Sequence, residues 1–197
     1  MNPKTKKLAV MAMLVALSVV MVATIHFPIF PAAPFLEYDP ADIPILIGGF
    51  AYGPVAGIVL VVIASVIQGL TVSAGSGVYG ILMHIIATST LVLVACGTYK
   101  IKHSKMGALI GLVLGTLAMG AVMMVANHFI TPLFMGVPTE VVDAMLLPVI
   151  LPFNLIKAGA NSAITFLVYK AVSRYIVHGD GFNREKSKDA TPENAED

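Results

Sequence analysis

The sequence predicts an all-α membrane protein that crosses the bilayer six times. Two observations carry this. Apolar residues make up 57% of the 197 positions and charged residues only 12%, where soluble domains carry about 25% charged residues. Apolar stretches also recur along the chain, from Leu8 to Ile25, Ile45 to Val72, Ile81 to Cys96, Met106 to Val125 and Ala144 to Tyr169. Each of these approaches or exceeds the roughly 20 residues a helix needs to cross the hydrocarbon.

The first span is expected over about residues 8–26. Ala9, Ala12 and Ala16 are small residues on it, and Ala12-x-x-x-Ala16 gives a face that lets another helix approach closely, within the protein or between proteins. The stretch from Ile43 to Val72 is too long for one straight helix. Its middle, GGFAYGPVAG, holds Pro54 and four glycines, which suits a tight turn between two spans at about 42–53 and 55–72. The fourth, fifth and sixth are expected at about 78–98, 106–129 and 144–170. Residues 1–177 then form one membrane domain, and residues 178–197 a polar tail with the composition of a disordered segment.

Charge placement orients the bundle. Lys4, Lys6 and Lys7 precede the first span, Lys100, Lys102 and Lys105 separate the fourth from the fifth, and Lys170 and Arg174 close the sixth. The opposite side carries Glu37, Asp39, Asp42, Glu140 and Asp143 and no Lys or Arg. Positive residues stay cytoplasmic, so both termini are expected there. The run after Lys7 continues too far, and lacks a small-x-small cleavage site, for a signal peptide.

Several chemistries find no support. There is no Walker A motif and no dinucleotide fingerprint. GSGVYG (residues 75–80) lacks a preceding strand and reads as a helix-linking turn. The histidines form neither HExxH nor a close ligand pair, and the lone Cys96 excludes an intrachain disulfide and argues against a cysteine metal cluster. No metal site and no catalytic constellation is expected. An intramembrane enzyme with Lys157 as base and Glu37 as acid would lack further catalytic groups.

One charge is out of place. In PFNLIKAGANSAITFLVYK (residues 152–170), Lys157 lies inside a span, with Asn154 and Asn161 three and four residues away on the same helix face. A charge at that depth is expensive unless it faces protein or a polar cavity. It snorkels toward the interface, pairs with a structural carboxylate or lines a ligand pocket; snorkelling is weakened because Lys157 lies nearer the outer half while Lys170 already marks the inner end. The preceding outer loop, HFPIFPAAPFLEYDPADIP (residues 26–44), has five prolines, three acids and four aromatics. Proline lowers the cost of holding a loop in one shape. Phe35 and Tyr38 could cover a planar ligand while Glu37 and Asp39 supply polar contacts; Asp39 or Asp42 could instead cap the next helix. Gln68 and Asn127 lie at a comparable depth, and either could simply link helices.

Three blocks, FLEYDPADIPILIGGFAYGPVAG, NHFITPLFMG and LPFNLIKAGANSAITFLVYK, resemble the riboflavin-binding substrate subunits (S components) of energy-coupling factor (ECF) transporters, and the resemblance spans most of residues 8–175. It implies a six-helix substrate subunit in a bacterial plasma membrane. That subunit would capture riboflavin outside and work with a transmembrane coupling subunit and two cytoplasmic ATPases. No nucleic acid partner, no cofactor and no enzymatic activity is implied. Carried over by position, Glu37, Tyr38 and Asp39 match the loop block that closes over the flavin, Asn127 matches the polar residue of the fifth span, and Asn154 and Lys157 match the polar pair of the last block. Gln68 and Asn161 join them by depth and face. Ala9, Ala12 and Ala16 match the small-residue pattern that docks on the coupling subunit. His128 stands where a tyrosine is more usual. Thiamine or biotin as ligand, or a non-transport assembly role, are the alternatives.

Overall fold

A computed structural model describes residues 2–31 and 33–176; the expected tail lies outside the described residues. The chain is helical almost throughout. Helix α1 spans Pro3–Thr24. A loop follows, carrying two short antiparallel strands, β1 (Phe27–Pro28) and β2 (Glu37–Tyr38), which pair Phe27 with Tyr38 and Pro28 with Glu37. Helices α2 (Asp42–Tyr52) and α3 (Pro54–Leu70) form a hairpin, and α4 (Gly77–Ile101) and α5 (Lys105–Met135) a second. A short α6 (Thr139–Met145) runs through a wider π turn at Leu146–Ile150 into α7 (Leu151–Ile176).

Four helical stretches are long and apolar enough to cross a membrane: Pro3–Thr24, Ala74–Ile101, Lys105–Met135 and Thr139–Tyr169. Helices α2 and α3 are apolar but shorter, with 11 and 17 residues. The brevity of α2 has a physical reason. It packs against α1, α3, α4 and α7 at once, and every residue from Asp42 to Phe50 is buried. The loop before it descends into the bundle, so α2 starts deep rather than at a surface. The boundaries differ most at the fifth and sixth stretches. Helix α5 runs on to Met135, through Pro132. The straight part of the last stretch begins at Leu151, after α6 and the π turn, rather than near residue 144.

The α2–α3 hairpin is sharp because glycine permits it. Gly53 turns the chain at φ +92°, a backbone conformation that side chains disfavour, and Pro54 opens α3 at a position where its missing N–H costs nothing. Gly49 and Gly57 then let the two helices touch. A Cβ on Gly57 would come within 3.1 Å of Gly49 Cα and 2.5 Å of Val92 Cγ1. The core around this contact is built from Leu46, Leu60, Leu91, Val92 and Cys96. On α1 the buried face is Leu14, Val15, Ser18 and Val22. Ala9, Ala12 and Ala16 lie on the exposed side, so they form no seam inside the monomer.

Candidate functional site

The loop and the last helix are tied together by charge. Lys157 on α7 donates to Asp39 Oδ2 at 2.6 Å, and both residues are buried. The other oxygen, Asp39 Oδ1, accepts from the Ala41 backbone N–H at 3.0 Å. Burial pushes the Asp39 carboxyl up; the Lys157 ammonium and these hydrogen bonds outweigh it and hold the group below the ordinary carboxylate range. Asn161, about one turn further along α7, donates to the Asp39 carbonyl and to Asp42 Oδ2, both at 3.0 Å, and its own oxygen accepts from the Tyr38 hydroxyl at 3.1 Å. Asp42 sits in the first turn of α2, fully buried, where its charge suits the positive end of the helix, and its Oδ1 accepts from Thr88 on α4 at 2.8 Å. Neither aspartate caps α2 with its side chain: the cap residue is Ala41, without a side-chain bond.

Above this network lies a cavity of about 180 Å³, bounded by the loop and by α1, α3, α4, α5 and α7. That is room for several water molecules, at about 30 Å³ each, and so for more than a single ion. Six of the eight residues singled out from the sequence line it: Glu37, Asp39, Gln68, Asn127, Asn154 and Lys157. Tyr38 and Asn161 do not. The Tyr38 ring packs on Phe27 at 5.4 Å between centroids, and Asn161 stands behind Asp39.

The lining residues keep hydrogen-bonding capacity in hand. The Asn127 amide donates to Met123 O at 2.8 Å and its oxygen accepts from Thr131 at 2.8 Å. The Asn154 amide donates to Ile150 O at 2.8 Å, using a carbonyl of the π turn. Each amide nitrogen carries a second N–H, and Lys157 has three protons of which Asp39 takes one. Gln68 donates to Ser18 Oγ at 3.1 Å, and Ser18 in turn donates to Ala41 O at 2.8 Å, so α3 and α1 brace the loop. Flat apolar surface comes from Phe35, Tyr79 and Phe134, whose rings meet edge to face at 6.0 and 6.2 Å.

Sequence reasoning passed over Ser65, His84, Thr88 and the aromatic pair Tyr79 and Phe134, all of which line the cavity. A signal was present. His84 and Thr88 are four residues apart, polar positions that share one face of a span whose other faces carry Ser89 and Thr90. His128, by contrast, is on the outside of the site, paired with Asp143 at 2.5 Å between α5 and α6. Among the described residues, no three His, Cys, Asp or Glu side chains are grouped so as to hold a metal ion.

A helical bundle with a part-polar, part-aromatic cavity under a pinned loop defines a membrane protein that holds a small organic solute. The comparisons give that class its family. The profile of the family described as "ECF transporter, substrate-specific component" matches residues 6–169. This chain belongs to that family, and is a transport component rather than an enzyme. It is similar to the riboflavin transporter RibU of Staphylococcus aureus, at 30% identity over 88% of this chain and 93% of the relative. It is also similar to the riboflavin transporter FmnP of Bacillus subtilis, at 32% identity over 88% and 95%. A solved S component of a bacterial ECF transporter superposes with a TM-score of 0.78 at 29% identity, covering 88% of this chain and 98% of that one.

Proposed function

We propose that this chain is the riboflavin-binding S component of an ECF transporter in a bacterial plasma membrane. It captures riboflavin on the outer face, and it passes the vitamin inward together with a transmembrane coupling subunit and two cytoplasmic ATPases. Six membrane-spanning segments, counting α2 and α3, return the chain to the side it started from and put both termini in the cytoplasm. The lysine placement supports this orientation.

The observation that carries the ligand assignment is the composition of the cavity. Asn127, Asn154 and Lys157 set N–H donors along the α5 and α7 wall, and the rings of Phe35, Tyr79 and Phe134 supply flat apolar cover. Riboflavin offers a planar tricyclic ring with carbonyl and imide groups at one edge, which suits that combination. The names of the relatives point the same way. Glu37 and Asp39 belong to the loop that closes over the ligand, Gln68 braces it, and Tyr38 and Asn161 hold it from behind. Ala9, Ala12 and Ala16 form the dock for the coupling subunit. No bond of the vitamin changes.

Titration of the purified, flavin-free protein by riboflavin fluorescence quenching tests the reading, with thiamine and biotin as competitors. Saturable quenching that neither competitor relieves is expected. Absence of quenching, or displacement by thiamine or biotin, overturns it.

A further inference from the structure

Glu37 is the one charged side chain of the cavity lining that nothing answers. It is exposed to solvent and also lines the cavity, so it stands at the mouth. Its backbone is fixed in the two-strand ribbon opposite Pro28. Its carboxylate has no hydrogen-bond or ion-pair partner among the described residues.

The rest of the lining offers no free positive charge to balance it. Lys157 is already matched by Asp39 at 2.6 Å. An anion that drew Lys157 away would leave Asp39 buried without its partner, a costly exchange. His84 faces Asp42 Oδ1 at 3.6 Å, so a second proton on its ring would be matched by that carboxylate. Between Lys7 and Lys100, and again between Lys105 and Lys157, the sequence has no Lys or Arg. One feature opposes this balance. The N-terminus of α4 begins beside Ser73 and Ser76, which line the cavity. A helix end carries about half a positive charge, less than the full charge of one carboxylate. The mouth is therefore net negative, and walls of low dielectric focus such a field into the cleft.

Riboflavin is neutral. Its phosphate ester carries the same ring and chain with a charge of about −1.5 to −2 at the chain's end. Phosphate is ordinarily received by Arg, Lys or a cluster of backbone N–H groups, and here a carboxylate stands at the entrance instead. We infer that Glu37 is a specificity-determining residue that admits the neutral flavin and rejects flavins phosphorylated on the chain. The inference rests on the riboflavin reading above and narrows its substrate class by charge.

The test titrates the purified parent, Glu37→Gln and Glu37→Lys with riboflavin and with riboflavin 5′-phosphate, at low and at high salt. The quantity read is the ratio of the two dissociation constants. A disturbance of the loop that weakens both flavins alike leaves this ratio unchanged. The parent is expected to bind the phosphate ester at least about tenfold more weakly than riboflavin at low salt, since like charges are being brought together. The gap should narrow in Glu37→Gln, narrow further in Glu37→Lys, and narrow for the parent at high salt, where an exposed charge is screened. Equal affinity of the parent for the two flavins overturns the inference. So does a gap that is the same in all three proteins and at both salts, which would assign the discrimination to the size of the phosphate. If Glu37→Lys yields no monodisperse protein, Glu37→Gln and the salt series decide. A parent that binds neither flavin is a different result, and overturns the riboflavin reading itself.

Discussion

Lys157 and Asp39 are 118 positions apart in sequence and joined by a 2.6 Å hydrogen bond in the fold. The bond crosses from the last helix to the loop that roofs the cavity. Two charges taken out of water lose hydration that their mutual attraction offsets only partly, so such a pair is poor evidence for stability. Its placement is better explained by use. Lys157 is held at the cavity wall by a partner that consumes one of its three protons, and the loop is held by a group that a ligand can also reach. On the riboflavin reading, occupancy of the cavity and position of the loop share one side chain.

That sharing separates two roles of Lys157 by experiment. Lys157→Met strands Asp39 in a buried place and should destabilise the protein by roughly 3–5 kcal/mol. It should also weaken riboflavin binding by about 1.5–3 kcal/mol, the worth of a hydrogen bond to a charged group. Adding Asp39→Asn neutralises the orphan, so the double variant should recover thermal stability without recovering affinity. Riboflavin titrations and melting curves on both variants decide it. A double variant that binds like the parent would mean that Lys157 serves only the loop.

How far the site could be read from sequence depended on what fixes each residue. Lys157 and Asn154 were legible because a charge and an amide in an apolar span need a reason to be there. Asn161 shares their face, but seven residues along a helix is about 10 Å of depth. At that depth it meets Asp39 and Asp42 from behind instead of the cavity. His84 and Thr88 were passed over because Ser89 and Thr90 follow Thr88, so polar residues fall on several faces of that span and their spacing does not single out one rotation of the helix. The bounds of α2, expected at about 42–53, were legible from the glycines and Pro54, but its enclosure by protein was hidden for a related reason. A helix surrounded by protein on all sides is as apolar as one surrounded by lipid, and composition does not tell the two apart.

The hairpin contact gives a stability prediction independent of any ligand. Gly57→Ala places a methyl group 2.5 Å from Val92 Cγ1 and 3.1 Å from Gly49 Cα, so the helices must separate. A loss of about 1–3 kcal/mol is expected, the usual cost of overpacking. Gly97→Ala is the control, since a Cβ there meets nothing within 4 Å and alanine favours the helix. Cys96, the single cysteine, is buried, so a thiol-reactive dye reports unfolding directly. An equal melting temperature for Gly57→Ala and its parent would refute the tight contact.

Orientation is open to chemical labelling. In a Cys96→Ser background, Phe27→Cys in the loop should react with an impermeant thiol reagent on intact cells. Thr5→Cys and Ile101→Cys should react only after permeabilisation. All three positions are exposed, so reactivity reports sidedness and not burial. The reverse pattern would invert the topology.

The exposed alanines make the strongest separable prediction. Ala9, Ala12 and Ala16 line the side of α1 opposite Leu14, Val15, Ser18 and Val22. Lipid gives little hydrophobic drive for helices to associate, so close packing over small residues carries much of the attraction. Leucines at positions 12 and 16 would hold a partner helix away. Because both positions point outward, the double variant Ala12→Leu, Ala16→Leu should fold normally, with monomer yield unchanged. The cavity is bounded from α1 by Val22, almost two turns beyond Ala16, and Ser18 braces the loop from the buried face. Riboflavin affinity should therefore stay within about twofold of the parent, well under the tenfold that one lost contact would cause. Copurification with a coupling subunit, and uptake by cells, should fall at least tenfold, as expected when a close-packed helix contact is forced apart. All three readouts belong on the same preparation. Lost affinity together with lost yield would mean that this face supports the monomer after all. Normal uptake with normal copurification would mean that the coupling subunit docks elsewhere.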